Sequence, residues 1–462
     1  MGIPRDGSGG PGQGTSFLTG LQDFGFPGHI YPINPNATEI LGLKAYPNLK
    51  SVPEHLDLVI VSIPAKHVPG LLRECGEVGA RNVHIFTAGF DETGDQQRKQ
   101  LGEEVKKAAK ENGILLMGPN CMGIGYVPRA RMSCWRGVSP ISGRVGFISQ
   151  SGGHAGEMSA FAPSSGVYIS KVVSIGNSYG LKATDFLEYF TSDPETDVIT
   201  MYLEGAADGP KLFRMVRDLN GRKPVIVWKG GLSEFGSRAA ASHTGSLAGS
   251  KEVWNAFFQQ TNAVRAGSVE ELVDAASAFT YLTPPKGNRL AVIGIGGGSS
   301  VAIADACARE GLRMPHFNPE TYSALAKVIN PAGTILSNPL DVGGAVFRQV
   351  DSLAQVVKAV VPDPNIDMIL VAMNFGFLPV STDEQEQVLD YLCTYAKSNP
   401  YGKPLVVALT RGVPSLKIEQ TIDRVKIKAI QAGLPFYTNT VRACRALSRF
   451  AEYHRVLKET RP

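Results

Sequence analysis

No window of the 462-residue sequence approaches eighteen uninterrupted apolar residues, so no simple membrane-spanning helix is expected. The opening "MGIPRDGSGGPGQGTS" lacks the apolar core of a secretory signal, and the expected compartment is the cytosol. Cysteine is sparse: Cys75, Cys121, Cys134, Cys307, Cys393 and Cys444 form no C-x-x-C pair. That pattern argues against a disulfide framework and a thiolate metal site, and no metal ligands are expected. Charge of one sign is also missing. The formal net charge is +4, and no basic run is interleaved with aromatics, which speaks against a nucleic-acid partner. Low-complexity linkers are absent as well. What remains is a globular composition, 43% hydrophobic and 19% charged, long enough for about three domains.

Short β-branched runs such as "LDLVIVSIP", "RNVHIFTAGF", "RVGFISQSGG", "DVITMYLEG", "KPVIVWKGG" and "RLAVIGIGGG" alternate with helical stretches such as "KQLGEEVKKAAKENG". This alternation predicts an α/β protein with parallel sheets and crossover helices, binding ligands at the carboxyl ends of its strands. Three blocks recur in the same order. "GRVGFISQSGGHAGEMSAFA" pairs with "NRLAVIGIGGGSSVAIADAC", "DPETDVITMYLEG" with "DPNIDMILVAMNFG", and "GRKPVIVWKGG" with "YGKPLVVALTRG". They indicate a duplicated domain. Joints are expected near "YVPRARMSCWRGVSPISG" and "YLTPPKGN", giving domains over 1–127, 144–282 and 288–462. The duplication acts as an internal control: Glu204 of one copy is Asn374 in the other, and the His243 loop has no counterpart. Glu204 and His243 are therefore candidates to act together.

"GGPGQGTSFLTGL" brings glycines to a helix start, where backbone N–H groups can approach a pyrophosphate. It does not match G-x-G-x-x-G, and a plain turn explains it equally well. The next expected strand, "HIYPINPN", ends in Asn34, where a dinucleotide enzyme usually carries an acid for the ribose. A strand before the Gly loop is the norm for such a unit, yet only "MGIPRD" precedes it. In "ISQSGGHAGEM" a strand meets Ser151, Gly152 and Gly153 at a helix start suited to an anion. His154 is read there as a first-turn residue facing solvent or a neighbour. Cys121 has no flanking base and is read as packing in a tight turn. His243 differs, because "SRAAASHTGSLAGS" offers nothing bulky to pack. A loop of small residues can carry an imidazole between two places, and an imidazole whose second nitrogen donates to a carboxylate is a competent nucleophile toward phosphorus.

Taken in order, "INPNATEILGLKAYPNL", "SIPAKHVPGLL", "TAGFDETG", "GPNCMGI", "ISQSGG", "DPETDVITMYLEG", "SHTGSLAGS" and "SNPLDVGG" resemble the α subunit of ADP-forming acyl-CoA synthetases of the acetate–CoA ligase type, in the succinyl-CoA synthetase superfamily. The resemblance implies a Rossmann-like CoA-binding domain followed by two flavodoxin-like ligase domains. It further implies interconversion of acyl-CoA, ADP and phosphate with carboxylic acid, CoA and ATP through an acyl phosphate and a phosphohistidine. His243 would be phosphorylated with Glu204 as its carboxylate, and Ser151, Gly152 and Gly153 would cradle phosphate. Gly12, Gln13, Gly14, Thr15, Asn34, Pro64, Ala65, Lys66 and Asn120 would contact CoA. The family's ATP-grasp domain, which holds ATP or ADP with Mg²⁺, has no match in this sequence. An ATP-grasp β subunit in an α2β2 assembly is thus implied, and this chain alone should not make ATP. The other class of reading is a CoA- or acyl-CoA-binding module that regulates or scaffolds another enzyme. A dehydrogenase is disfavoured by the missing G-x-G-x-x-G and ribose acid.

Overall fold

The computed structural model describes residues 13–236, 249–294, 296–330, 334–347, 349–375, 382–411 and 415–460. The chain divides into two compact units, residues 1–272 and 273–462. No described helix is long and apolar enough to cross a membrane.

In the first unit, α1 (Gln13–Phe24) precedes a small parallel sheet of β1 (Val59–Val61), β2 (Asn82–Ile85) and β3 (Leu115–Met117). The crossovers are α2 (Val68–Glu77) and α3 (Gln96–Glu111). The Asp95 side chain caps α3 by accepting from the Arg98 N–H at 2.9 Å, and Val105, Ala108 and Ala109 turn its apolar stripe inward. Glycines do open a helix, since α1 begins at Gln13 and contains Gly14 and Thr15. Gly12 lies outside the described residues.

One expected strand is not formed among the described residues. "HIYPINPN" makes only an isolated bridge between Ile33 and Tyr46. Pro32 and Pro35 each remove a ladder donor, and Ile30, Ile33, Val59 and Ile60 line a cavity of about 290 Å³. A parallel strand needs a hydrogen-bonded neighbour, and among the described residues β1 forms the edge of its sheet.

The same unit holds a seven-stranded sheet. Its strands are β4 (Gly123–Val127), β5 (Met132–Ser133), β6 (Val145–Ser149), β7 (Ile169–Ser174), β8 (Val198–Leu203), β9 (Val225–Lys229) and β10 (Val264–Ala266). The spatial order is β10-β9-β8-β6-β7-β4-β5, parallel from β10 to β7 and antiparallel beyond. The segment "YVPRARMSCWRGVSPISG" therefore supplies part of β4 and all of β5 to this sheet. Helices α4 (Gly152–Ser164), α5 (Ala183–Ser192), α6 (Gly209–Leu219) and α7 (Lys251–Thr261) connect the strands. All six residues of β8 are buried, as a central strand covered by helices on both faces requires.

The second unit is a five-stranded parallel sheet of β11 (Leu290–Gly294), β12 (Leu340–Asp341), β13 (Met368–Phe375), β14 (Leu405–Arg411) and β15 (Phe436–Tyr437), in the order β12-β11-β13-β14-β15. Numbered by their succession, both β7-β6-β8-β9-β10 and β12-β11-β13-β14-β15 have the doubly wound order 2-1-3-4-5 of flavodoxin-like folds. The repeated blocks of sequence thus correspond to repeated topology.

Candidate active site

In the first unit, the carboxyl ends of β6, β8 and β9 lie side by side. Parallel pairing sets Tyr202 beside Ser149 and Trp228, and Leu203 beside Lys229. Glu204 follows β8 directly and is 8% exposed. The Tyr202 hydroxyl donates to its Oε1 at 3.2 Å, whereas the buried Oε2 has no hydrogen-bond partner among the described residues. A buried carboxylate oxygen without a donor is costly, and it can accept from a group that supplies an N–H or O–H. Gln150 fixes the turn, its side-chain oxygen accepting from the Glu204 N–H and, at 3.0 Å, from the Gly205 N–H.

Ser151 sits at the N-cap of α4, its hydroxyl accepting from the His154 N–H at 3.3 Å. The N–H groups of Gly152 and Gly153 belong to the first helical turn, where an anion is favoured. A Cβ on Gly152 would lie 3.0 Å from Met122 Cγ, a tight contact that the Met122 side chain would have to ease. His154 faces neighbours, as read from the sequence: its ring lies 4.5 Å from both the Tyr202 and Trp228 ring centres, and Nδ1 meets Glu157 Oε2 at 3.1 Å. Beside the turn, a cavity of about 320 Å³ is lined by Gln150, Asn177, Ser178, Thr184, Gly205 and Asp208 among others.

The other expected site residues occupy the amino-terminal part of the unit. Pro64, Ala65 and Lys66 line an open groove with Gln97, Arg98 and Leu101, which puts two cationic side chains at its wall. Asn34 is engaged locally, its Oδ1 accepting from the Asn36 N–H at 2.8 Å. Asn120 takes a left-handed backbone (φ 57°) and donates to Asn177 Oδ1 at 3.2 Å; Asn177 in turn donates to Asp91 and Glu92 at 2.9 and 2.6 Å. The motifs "GPNCMGI" and "TAGFDETG" therefore meet through one amide. Cys121 is 3% exposed and burial pushes its thiol up to about 12, in keeping with a packing role. His243 lies outside the described residues, which resume at Gly249 before α7.

Sequence reading missed Gln150, Asn177 and Lys229. Lys229 carried a usable signal, a lone charge closing the run "VIVWK". It is 4% exposed, donates to the Gly230 carbonyl and lies 5.3 Å from the Trp254 ring centre. Burial pushes its ammonium down to about 8, while the charge of Glu204 works in the opposite direction. In the second unit Asn374 repeats the Glu204 position on β13, and its buried Oδ1 also lacks a partner among the described residues. An amide there cannot carry the charge that a nucleophilic imidazole needs beside it.

Comparison with known proteins agrees with this geometry. The CoA binding domain family matches residues 12–126, and the succinyl-CoA ligase like flavodoxin domain family matches 142–279. The ADP-forming acetate–CoA ligase I of Archaeoglobus fulgidus is 35% identical over 97% of this chain, which spans 62% of that relative's length. The subunit alpha of ADP-forming acetate–CoA ligase I from Pyrococcus furiosus is 31% identical over 95% of this chain and 92% of its own. The chain belongs to the ADP-forming acetate–CoA ligase family. Among solved structures, acetyl-coenzyme A synthetase 1 of Ca. Korarchaeum cryptofilum in complex with phosphate and ADP superposes with a TM-score of 0.83 at 30% identity, covering 100% of this chain and 97% of the other. Within the family frame, the small parallel sheet falls in the CoA binding domain match, and Glu204, Ser151 and Lys229 fall in the ligase-like match. The name "subunit alpha" for the Pyrococcus relative implies a partner subunit.

Proposed function

We propose that the chain is the α subunit of an ADP-forming acyl-CoA synthetase that converts acyl-CoA, ADP and phosphate to carboxylic acid, CoA and ATP, and the reverse. The observation that carries the reading is the buried Oε2 of Glu204 at the carboxyl end of β8, which is unpartnered among the described residues. In the first step phosphate adds to the thioester carbonyl, the C–S bond breaks and CoA leaves, giving an acyl phosphate. The N–H groups of Gly152 and Gly153 and the Ser151 cap hold the anion. An imidazole nitrogen of His243 then attacks phosphorus, the bond from phosphorus to the acyl oxygen breaks, and the carboxylate departs. Glu204 accepts the N–H of the second ring nitrogen, fixing the tautomer and stabilising the positive ring. Transfer to the terminal phosphate oxygen of ADP breaks the P–N bond and restores the neutral imidazole. The sequence around His243 consists of small residues, the composition that suits a segment carrying an imidazole between two sites.

The CoA site is assigned to Gly12, Gln13, Gly14, Thr15, Asn34, Pro64, Ala65, Lys66 and Asn120. The Lys66 and Arg98 wall suits a phosphate-bearing ligand in charge, and CoA supplies the thiol that accepts and releases the acyl group. Domains over 1–127, 144–282 and 288–462 divide the work into CoA binding, phosphoryl transfer and a duplicated ligase fold. ADP with Mg²⁺ is placed on an ATP-grasp β subunit in an α2β2 assembly in the cytosol, and the acid is a small carboxylic acid.

Incubation of the full chain with acetyl-CoA and ³²P-phosphate tests the reading. Acid-labile label is expected on His243, none in His243→Ala, and a loss of rate on the order of 100-fold in Glu204→Gln. Undiminished labelling of His243→Ala would overturn it.

A further inference from the structure

The cavity of about 320 Å³ beside the turn after β8 takes no part in the steps above, yet its walls come from three places that the reaction must bring together. Gln150 immediately precedes Ser151 of the proposed phosphate cradle, and Gly205 immediately follows Glu204. Asn177 is tied by hydrogen bonds to Asp91, Glu92 and Asn120, all within the CoA binding domain match. The cavity also lies at the carboxyl ends of β6 and β8, where the strand succession in β7-β6-β8 reverses direction. Such a reversal marks the usual ligand crevice of an open parallel sheet.

The lining is chemically selective. Buried Ile175, Leu203 and Leu212 give it an apolar part, and Ala183, the first residue of α5, adds a single methyl group. Among the described residues no Lys or Arg lines it, whereas the Asp208 carboxylate does, with its Oδ1 accepting from the Lys211 N–H at 3.0 Å. Gln150 spends its side-chain oxygen on the N–H groups of Glu204 and Gly205, and among the described residues its Nε2 has no partner, which leaves an N–H donor for an occupant's oxygen. A second carboxylate entering here would lose its hydration without gaining a counter-ion, while a hydrocarbon chain would gain by leaving water. Roughly 150 Å³ suffices to hold a benzene molecule, so about 320 Å³ has room for an acyl group well beyond acetyl.

We propose that this cavity is the acyl pocket, and that it takes uncharged acyl chains longer than acetyl while rejecting acyl groups that end in a carboxylate. This rests on the acyl-CoA synthetase reading above. An acyl chain held beside Gln150 and Gly205 keeps its carbonyl carbon next to the cradle that presents phosphate, and the Gln150 Nε2 can donate to the carbonyl oxygen. Asn177 ties the pocket wall to the domain assigned to CoA, so the thioester and the pocket stay together.

The test compares acetyl-, butyryl- and succinyl-CoA, the last ending in a carboxylate, as substrates for ³²P-phosphate labelling of the full chain at subsaturating acyl-CoA, and measures their binding by isothermal calorimetry. In the wild-type chain butyryl-CoA should label at least as fast as acetyl-CoA, and succinyl-CoA roughly 100-fold more slowly. Ala183→Leu puts a larger apolar side chain at the wall and should lower the ratio of butyryl-CoA to acetyl-CoA labelling about 10-fold. A merely structural defect would slow both substrates alike and leave that ratio unchanged, and the succinyl-CoA comparison needs no variant. An unchanged ratio in Ala183→Leu that is folded by circular dichroism, or succinyl-CoA used as fast as butyryl-CoA, overturns the proposal alone. No label from any acyl-CoA, or label in His243→Ala, overturns the phosphohistidine reading, and calorimetry then decides the pocket: butyryl-CoA should bind the wild-type chain about 10-fold more tightly than succinyl-CoA and lose that preference in Ala183→Leu. Equal affinities in the wild-type chain overturn the pocket as well.

Discussion

Replacing Lys229 by Met should make the first unit more stable at neutral pH, because the native residue is a charge held where charge is unfavourable. A fall from the ordinary 10.5 to about 8 corresponds to about 3 kcal/mol, at ~1.4 kcal/mol per tenfold in proton affinity. Removing the bond to the Gly230 carbonyl takes back about 1 kcal/mol, leaving a gain of about 2 kcal/mol at pH 7. The sign of the pH dependence follows from the direction of the shift. Between about 8 and 10.5 the unfolded chain keeps the proton and the folded chain has lost it, so wild-type stability rises with pH there. The advantage of Lys229→Met should therefore shrink by about 1 kcal/mol between pH 7 and pH 9. Urea unfolding followed by tryptophan fluorescence reads this unit selectively, since Trp135, Trp228 and Trp254 all lie within residues 1–272. A wild-type chain as stable as Lys229→Met at pH 7, or a gap that does not change with pH, would refute the reasoning. A confirmed gap would mean that the position costs stability, as expected of a residue kept for its charge.

Two further outcomes are expected. Ser151→Ala removes the cap of α4 and should cost about 1 kcal/mol in urea unfolding while Ser151→Asp, which can still cap, retains most of it; equal stability of all three chains would show the cap to be unimportant. Cys121, with its thiol near 12 and its side chain buried, should resist iodoacetamide at pH 7.5 in the folded chain and react in urea; rapid folded-state alkylation would contradict the packing role.

Much of the architecture was readable because parallel strands covered on both faces must be continuously apolar. The runs around Val145–Ser149, Val198–Leu203 and Val225–Lys229 all became strands, and the repeated blocks became two sheets of the same strand order. "HIYPINPN" looked equally strand-like, yet a strand is a pairing, and pairing depends on a neighbour that local sequence does not contain. The candidate site divides similarly. Glu204 and the Ser151, Gly152 and Gly153 turn stood out because an acid and a glycine pair at strand ends carry their chemistry in their identity.

Sequence by itself determined the α/β class, the duplicated unit and the position of the acid that one copy has and the other replaces by Asn374. Tertiary structure decided which groups are left wanting. Gln150 became the clamp on the turn after β8, and among the described residues Glu204 Oε2 was left without a donor and Lys229 was buried beside Trp254 with the Gly230 carbonyl as its hydrogen-bond acceptor. Satisfaction of a polar atom is a property of everything within about 3 Å of it, and that neighbourhood is assembled from strands and helices far apart in the chain.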